Sequence, residues 1–93
     1  MNELSREVLH VVLYGHDNCC LCAEAETRLR DLQDEYSFCL EKIDVRADEK
    51  HAHLRCRIPV VTIDGGNRVA LRITTERLRR AFDRALQSRK QVT

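Results

Sequence analysis

Residues 8–22 read VLHVVLYGHDNCCLC, an apolar run that leads into three cysteines within four positions. The run at 8–14 is continuously rich in β-forming residues rather than alternating, which is typical of a strand buried on both faces of a sheet. The residues that follow the cysteines have helical periodicity. The cysteines therefore stand between a predicted central strand and a predicted helix, a junction where a thiol is easily made reactive.

The candidate redox pair in this cluster is Cys19 and Cys22, which have C-x-x-C spacing. A residue in the first turn of a helix lies near unpaired N–H groups and the positive end of the helix dipole, and both lower the pKa of a thiol. Cys22 lies one turn later, on the apolar face of the predicted helix, so we expect its thiol to be less exposed and less acidic than that of Cys19. Asp17 opposes thiolate formation at Cys19, so the direction of the Cys19 pKa shift stays open.

The chain beyond the cysteines predicts a helix, a strand, a short connection, a hairpin and a last helix. The first helix is expected to end near Tyr36, before a strand over residues 37–45 and a short helix or irregular segment over 46–54. Strands at 60–64 and 69–73 flank a glycine turn. The second of them is expected to place Val69, Leu71 and Ile73 on one face.

The last predicted helix begins after a threonine cap, Thr74 or Thr75, and carries an apolar stripe that ends at Leu86. The resulting fold class is α/β with the order βαβαββα. The first βαβ unit predicts parallel strands and the hairpin predicts an antiparallel pair, so the sheet is four-stranded, mixed and flanked by helices. We expect one domain over residues 1–93, with a core of about residues 8–86 and a frayed tail at 87–93.

Composition limits the environment of the protein. No stretch of the sequence approaches the roughly 18 consecutive apolar residues of a membrane span, and residues 1–7 lack the basic and apolar regions of an export signal. Five cysteines, an odd number with three crowded together, make a poor disulfide framework. We therefore expect a cytoplasmic protein, monomeric and without a membrane partner.

Charge is distributed unevenly along the chain. Residues 1–50 carry 6 basic and 12 acidic side chains, whereas residues 51–93 carry 10 and 3, for a formal net charge of +1. Arg77, Arg80 and Arg84 recur at helical spacing, which suits an acidic partner, a nucleic acid or simply a solvated helix face. Because the net charge is near zero and aromatic residues are few, we interpret the stripe as a solvated face and expect no nucleic-acid partner.

The cysteine pair after the first strand, the single proline Pro59 before the third, and the hairpin with its terminal helix together resemble the thioredoxin fold in its glutaredoxin-like form. The closer resemblance is to glutaredoxin-like proteins with a C-x-L-C motif. It covers about residues 8–86 and rests on these segments: LYG at 13–15, CCLC at 19–22, AEA at 23–25, KIDV at 42–45 and IPVV at 58–61.

The resemblance implies a thioredoxin-like fold and a thiol–disulfide oxidoreductase. It implies that Cys19 is the attacking catalytic thiol, that Cys22 is the resolving one, and that Pro59 is a cis-proline facing them. In that arrangement Ile58 offers its backbone N–H and C=O to an extended substrate, and Tyr14 completes the substrate-binding set. The expected partner is a protein or small-molecule disulfide.

The chain departs from ordinary glutaredoxins at two places. They usually have a proline and an aromatic residue between the cysteines, and a Gly-Gly-x-Asp segment before the last helix that helps to bind glutathione. Here the residues between the cysteines are Cys20 and Leu21, and residues 72–76 read RITTE. We therefore expect no bound cofactor, with glutathione left open as a co-substrate.

The remaining cysteines and the loop histidine have simpler interpretations. Cys20 is expected to be an exposed neighbour of the pair, and Cys39 to pack as a small hydrophobe in the second strand. Cys56 is interpreted as an ordinary loop thiol, and His16 as a solvent-exposed loop residue.

Two other functions compete with the redox reading. Cys19, Cys20 and Cys22, with or without His16, have the ligand types for a soft metal ion such as Cu(I) or Zn²⁺. Alternatively, the domain is a thioredoxin-fold binding module with redox-weak cysteines, which acts through its edge strand or the Arg77 to Arg84 face. Metal retention after anaerobic purification and the effect of Cys19→Ser distinguish these alternatives from thiol–disulfide exchange.

Overall fold

The computed structural model describes residues 8–91, with side chains through residue 88. The elements follow the predicted order: β1 (Leu9–Gly15), α1 (Cys20–Leu32), β2 (Phe38–Asp44), a 3₁₀-helix (Glu49–Leu54), β3 (Val60–Ile63), β4 (Asn67–Ala70) and α2 (Thr75–Gln91). The predicted α/β class and βαβαββα order are confirmed, and the connection at 46–54 contains the short helix.

The four strands form one mixed sheet in the order β2-β1-β3-β4. Strand β1 pairs in parallel with β2 and antiparallel with β3, and β3 pairs antiparallel with β4. The prediction of a central first strand is therefore confirmed, since β1 has a neighbour on each side. The register brings Gly15 opposite Asp44, so the end of β1 that leads to the cysteines lies beside the end of β2.

The main core fills the face of the sheet that carries α1 and α2. It joins Leu9, Val11 and Leu13 of β1 to the apolar stripes of both helices. Phe82 of α2 is fully buried there, with its ring 4.6 Å from that of Tyr36 and 4.9 Å from that of Phe38. A smaller cluster on the other face of the sheet joins Val45, Leu54 and Val60, so the 3₁₀-helix covers the side opposite the two long helices.

Helix α1 ends at Leu32, earlier than the predicted end near Tyr36. The carbonyl of Leu32 accepts hydrogen bonds from the backbone N–H groups of both Glu35 and Tyr36, at 2.9 Å each. These two bonds close a turn, and the helix does not continue beyond it. This turn lets the Tyr36 ring stack on Phe82, a tertiary contact that local periodicity does not record.

Strand β4 ends at Ala70, so the predicted strand over 69–73 is too long. The prediction that Val69, Leu71 and Ile73 share one face is also wrong. Val69 and Ile73 are buried, but Leu71 is 54% exposed and has a φ of 69°. The backbone turns at this point because the N–H of Leu71 donates to Pro59 and the N–H of Arg72 donates to Ala70. Helix α2 extends to Gln91, into the segment 87–93 that was predicted to be a frayed tail, and residues 92–93 lie outside the described residues.

Cys39 is exposed rather than packed in the sheet, which contradicts the prediction for it. Phe38 and Leu40 on either side of it contact the main core. Because successive side chains of a strand point to opposite faces, Cys39 points away from that core on an edge strand.

Candidate functional site

Cys19 is the N-cap residue of α1, with extended backbone angles of −108° and 113°. Its Sγ accepts a hydrogen bond from the backbone N–H of Cys22 at 3.3 Å. An N-cap normally supplies a side-chain oxygen to a free N–H group of the first turn, and here a sulfur takes that place. The first turn contains no acidic residue, so a negative charge on this sulfur meets only the positive end of the helix dipole within α1.

The pKa of the Cys19 thiol lies below its usual value of 9.0. Burial acts in the opposite direction and raises the pKa of Cys19, but hydrogen bonds from Cys22 and Leu21 to the sulfur outweigh it. These bonds stabilise the thiolate more than the thiol. Asp17 and Cys19 line one cavity, but the hydrogen bonds to the sulfur determine the direction of the Cys19 pKa shift, which is downward.

Cys22 has the opposite character. Its side chain is 6% exposed, and its pKa is raised to about 11. Burial is the largest cause, followed by the hydrogen bond with the Cys19 thiol, while the backbone amide of His16 opposes the rise. The predicted difference between an accessible, more acidic thiol and a buried, less acidic one is confirmed.

Gly15 makes room for the Cys22 thiol. A Cβ built on Gly15 would lie 2.5 Å from Sγ of Cys22 and 3.0 Å from its Cβ, closer than real atoms approach. The end of β1 therefore needs glycine here because the thiol lies directly against its backbone. The LYG segment is part of the family resemblance, but the sequence alone does not explain why its third residue is glycine.

A cavity of about 310 Å³ opens beside the two thiols, between α1 and the ends of β1 and β2. Its lining includes Cys19, Cys22 and His16, together with a Lys42–Glu26 ion pair. The Lys42 Nζ lies 3.0 Å from Glu26 Oε1, and this partner lowers the pKa of the Glu26 carboxyl. Sequence reasoning missed this pair, although Glu26 lies one helical turn after Cys22 and Lys42 lies opposite Leu13 in the parallel register.

His16 is half-buried, not solvent-exposed as predicted, and its Nδ1 atom is buried without a hydrogen-bond partner among the described residues. His16 and Asp17, from the loop between β1 and α1, line the same cavity as both thiols. A buried ring nitrogen without a partner is uncommon and calls for a physical reason. His16 therefore joins the two thiols as a candidate functional residue.

The predicted substrate-binding residues lie together, but outside this cavity. The Ile58–Pro59 peptide bond is cis, as the resemblance implied. Tyr14 and Ile58 pack on the smaller core cluster, and the Tyr14 ring lies 5.4 Å from that of His51. Within the described part of the chain the backbone N–H and C=O of Ile58 form no hydrogen bond, so both are available to an extended segment.

The other cysteines remain apart from this arrangement. Cys20 and Cys56 are exposed and, like the remaining three, free. Over the described residues, no group of three or more histidine, cysteine or acidic side chains comes close enough to hold a metal ion. The predicted alternative ligand set of Cys19, Cys20, Cys22 and His16 is therefore not assembled. No helix in the described range is long and apolar enough to cross a membrane.

Comparison with known proteins agrees with this architecture. The model of the family described as "Glutaredoxin-like domain (DUF836)" matches residues 10–83. The solution structure of the oxidised thioredoxin from Plasmodium falciparum is similar over 88% of this chain and 85% of that chain, with a TM-score of 0.60 and 16% sequence identity. At that identity the similarity concerns the fold. None of the curated proteins compared with the chain matches it.

Proposed function

Because this chain belongs to the glutaredoxin-like domain family, we propose that it is a thiol–disulfide oxidoreductase that acts through Cys19 and Cys22. The observation that carries this proposal is the difference between the two thiols. Cys19 caps α1 with a lowered pKa, whereas Cys22 is buried with a pKa of about 11. Attack and resolution need such a pair, since the first thiol must ionise readily and the second must stay protonated until it is required.

The reaction begins when the Cys19 thiolate attacks one sulfur of a substrate disulfide. A mixed disulfide forms between Cys19 and that sulfur, and the other substrate sulfur leaves as a thiolate. Cys22 then loses its proton and attacks the Cys19 sulfur, which releases the second substrate thiolate and leaves a Cys19–Cys22 disulfide. Two electrons pass to the substrate, and a separate thiol donor must return them to the protein.

Cys22 needs a proton acceptor in the second step because its thiol is largely protonated at neutral pH. We assign this role to Nδ1 of His16, because this atom is buried without a partner among the described residues and His16 lines the same cavity as both thiols. A proton acceptor must lie within reach of the proton it removes, and His16 and Cys22 line one cavity. His16 then passes the proton to the departing substrate thiolate or to water in the cavity.

The substrate is a protein or small-molecule disulfide that extends along Ile58. The free N–H and C=O of this residue, beside the cis peptide bond, support a short β-type pairing with the segment that carries the disulfide. Tyr14, which is half-buried, would contact a side chain of that segment, whereas the side chain of Pro59 is fully buried and would only shape the adjacent backbone. We propose that the protein works without a bound cofactor, as a cytoplasmic monomer, with glutathione as one candidate electron donor.

The proposal is tested with three serine variants and a small disulfide such as hydroxyethyl disulfide. We expect Cys19→Ser to abolish exchange, and Cys22→Ser to form a mixed disulfide that mass spectrometry detects and that does not resolve. Cys20→Ser is the matched control, because this neighbouring thiol is exposed and lies outside the cavity. Full exchange by Cys19→Ser would contradict the role of Cys19, and full cellular function of a Cys19→Ser variant that has lost exchange would favour a binding module.

A further inference from the structure

A second concave surface lies between strand β4 and helix α2, and we call it the arginine groove. It encloses about 180 Å³ and is lined by four arginines, Arg68, Arg77, Arg80 and Arg84, together with Asn67. Arg77, Arg80 and Arg84 are the stripe that the sequence predicted as a solvated helix face. The structure adds Arg68 from the strand, and the stripe becomes one wall of a concavity.

The charge in the arginine groove is not balanced by the protein. No carboxylate lines it. Across the side chains that the structure describes, Arg68, Arg80 and Arg84 form no ion pair, whereas their neighbour Arg79 forms a two-bond pair with Glu35. Guanidinium groups that line one concavity repel one another, so an anion bound between them would stabilise this arrangement.

Arg77 is held in place before any ligand arrives. Its Nη1 donates to the carbonyl oxygen of Arg72 at 2.5 Å and to that of Ala70 at 3.4 Å. Its backbone N–H donates to the Thr74 hydroxyl at 3.2 Å. A guanidinium fixed by backbone acceptors loses less conformational freedom on binding than a free one, which favours affinity.

The arginine groove is separate from the thiol pair. The register places Asn67 opposite Ile63, and Ile63 opposite Val11. Gly15 and the cysteines lie beyond the other end of β1, where Tyr14 pairs with Val60. The groove follows the edge strand β4, which β3 separates from β1 and the thiols, and the proposed function does not account for it.

We propose that the arginine groove binds an anion that carries two adjacent phosphate groups. Guanidinium forks match phosphate oxygens in pairs, and the four positive charges suit the charge of a diphosphate. The lining contains no aromatic side chain on which a base could stack, and the chain has a net charge of only +1. Both features disfavour single-stranded nucleic acid, which is bound by basic grooves with stacking platforms.

The test is a titration of the ¹⁵N-labelled protein, followed by amide and arginine side-chain NMR signals, at an ionic strength of about 0.15 M where exposed charges are screened. The probes are inorganic pyrophosphate, a nucleoside diphosphate, inorganic sulfate and a short single-stranded RNA. We expect pyrophosphate to shift the signals of Arg68, Asn67 and residues 77–84, and to bind at least tenfold more tightly than sulfate. If pyrophosphate and the nucleoside diphosphate bind with equal affinity, the diphosphate group alone is recognised. If the nucleoside diphosphate binds more tightly than pyrophosphate, the diphosphate is recognised as part of a nucleotide.

The matched variants are Arg80→Gln and Arg79→Gln, which remove the same charge from neighbouring positions of α2. Only Arg80 lines the arginine groove. Because Arg80→Gln removes a charge-assisted hydrogen bond, we expect it to weaken pyrophosphate binding by about tenfold or more. We expect Arg79→Gln to change the affinity for pyrophosphate by less than about twofold. Equal effects of the two variants, sulfate binding as tight as pyrophosphate, tighter RNA binding, or shifts that map to α1 would each overturn the proposal.

Discussion

At the scale of single residues, the redox site depends on a glycine. Gly15 leaves the space that the Cys22 sulfur occupies, and an alanine methyl would lie 2.5 Å from that sulfur. We expect Gly15→Ala to move α1 or the Cys22 side chain, to lower the free energy of unfolding by about 1–3 kcal/mol, as overpacking does, and to slow resolution. Urea unfolding and the lifetime of the mixed disulfide measure the two effects.

Gly66→Ala is the control for that variant. Nothing lies within 4 Å of a Cβ built at this turn position. Its free energy of unfolding should change by less than half as much as that of Gly15→Ala. If both variants lose the same stability, the close contact between Gly15 and Cys22 does not constrain the site.

The two thiols should differ in the pH dependence of their alkylation. A lowered pKa means that the Cys19 thiolate forms at lower pH, so its reaction with iodoacetamide should reach half its maximum rate below pH 9.0. The raised pKa of Cys22 delays its reaction until the pH approaches about 11. Fragment-ion mass spectrometry separates these neighbouring cysteines. Coincident profiles would contradict the assignment of their roles.

His16 should affect only the second step of exchange. If its Nδ1 takes the Cys22 proton, His16→Gln should slow resolution at pH 7 by about 10²-fold and leave the attack by Cys19 unchanged. The difference should shrink as the pH rises toward the pKa of Cys22, which burial raises, because this thiol then ionises without help. His53→Gln changes an exposed histidine and serves as the control. A loss of equal size at every pH would indicate a structural role instead.

Sequence reasoning and structure agree on Cys19 and Cys22 because their properties depend on local position. A cap at the start of a helix and a buried stripe one turn later follow from spacing alone. His16 was misjudged because its burial depends on how the loop folds over a cavity formed by α1 and β2. The Lys42–Glu26 pair was missed for the same reason, since it joins residues of two elements.

At the scale of elements, the start of α2 depends on one hydroxyl. Oγ1 of Thr74 accepts the backbone N–H of Arg77 at 3.2 Å, so Thr74 rather than Thr75 is the cap. Thr74→Ala should cost about 1 kcal/mol of unfolding free energy, and Thr75→Ala, which removes an exposed helical hydroxyl, should cost less. Urea denaturation of both variants measures this difference. Equal losses would mean that the cap contributes nothing.

The boundaries of elements show where sequence patterns lose information. The alternation of Val69, Leu71 and Ile73 predicted one strand, yet hydrogen bonds from Leu71 to Pro59 and from Arg72 to Ala70 turn the chain there. The end of α1 was misplaced because Tyr36 stacks on Phe82, a residue of the other helix. Periodicity describes one element at a time, and both boundaries are set by contacts between elements.

At the scale of the whole molecule, the fold forms two chemically distinct surfaces, one beside β1 and β2 and the other along the edge strand β4. One holds the unequal thiols beside a cavity, and the other is the arginine groove. The uneven charge along the sequence anticipated a basic surface in the second half of the chain. It did not anticipate the groove, because Arg68 joins the helical arginines only when β4 packs beside α2.

The central claim is that Cys19 and Cys22 form a reversible dithiol–disulfide pair. The most direct test is the equilibrium of the protein with buffers of reduced and oxidised glutathione, in a variant whose other three cysteines are serine. The account predicts a two-electron transition between the dithiol and an intramolecular Cys19–Cys22 disulfide, resolved by thiol trapping and mass spectrometry. Persistence of two free thiols, or of glutathione adducts that never convert to that disulfide, would contradict it.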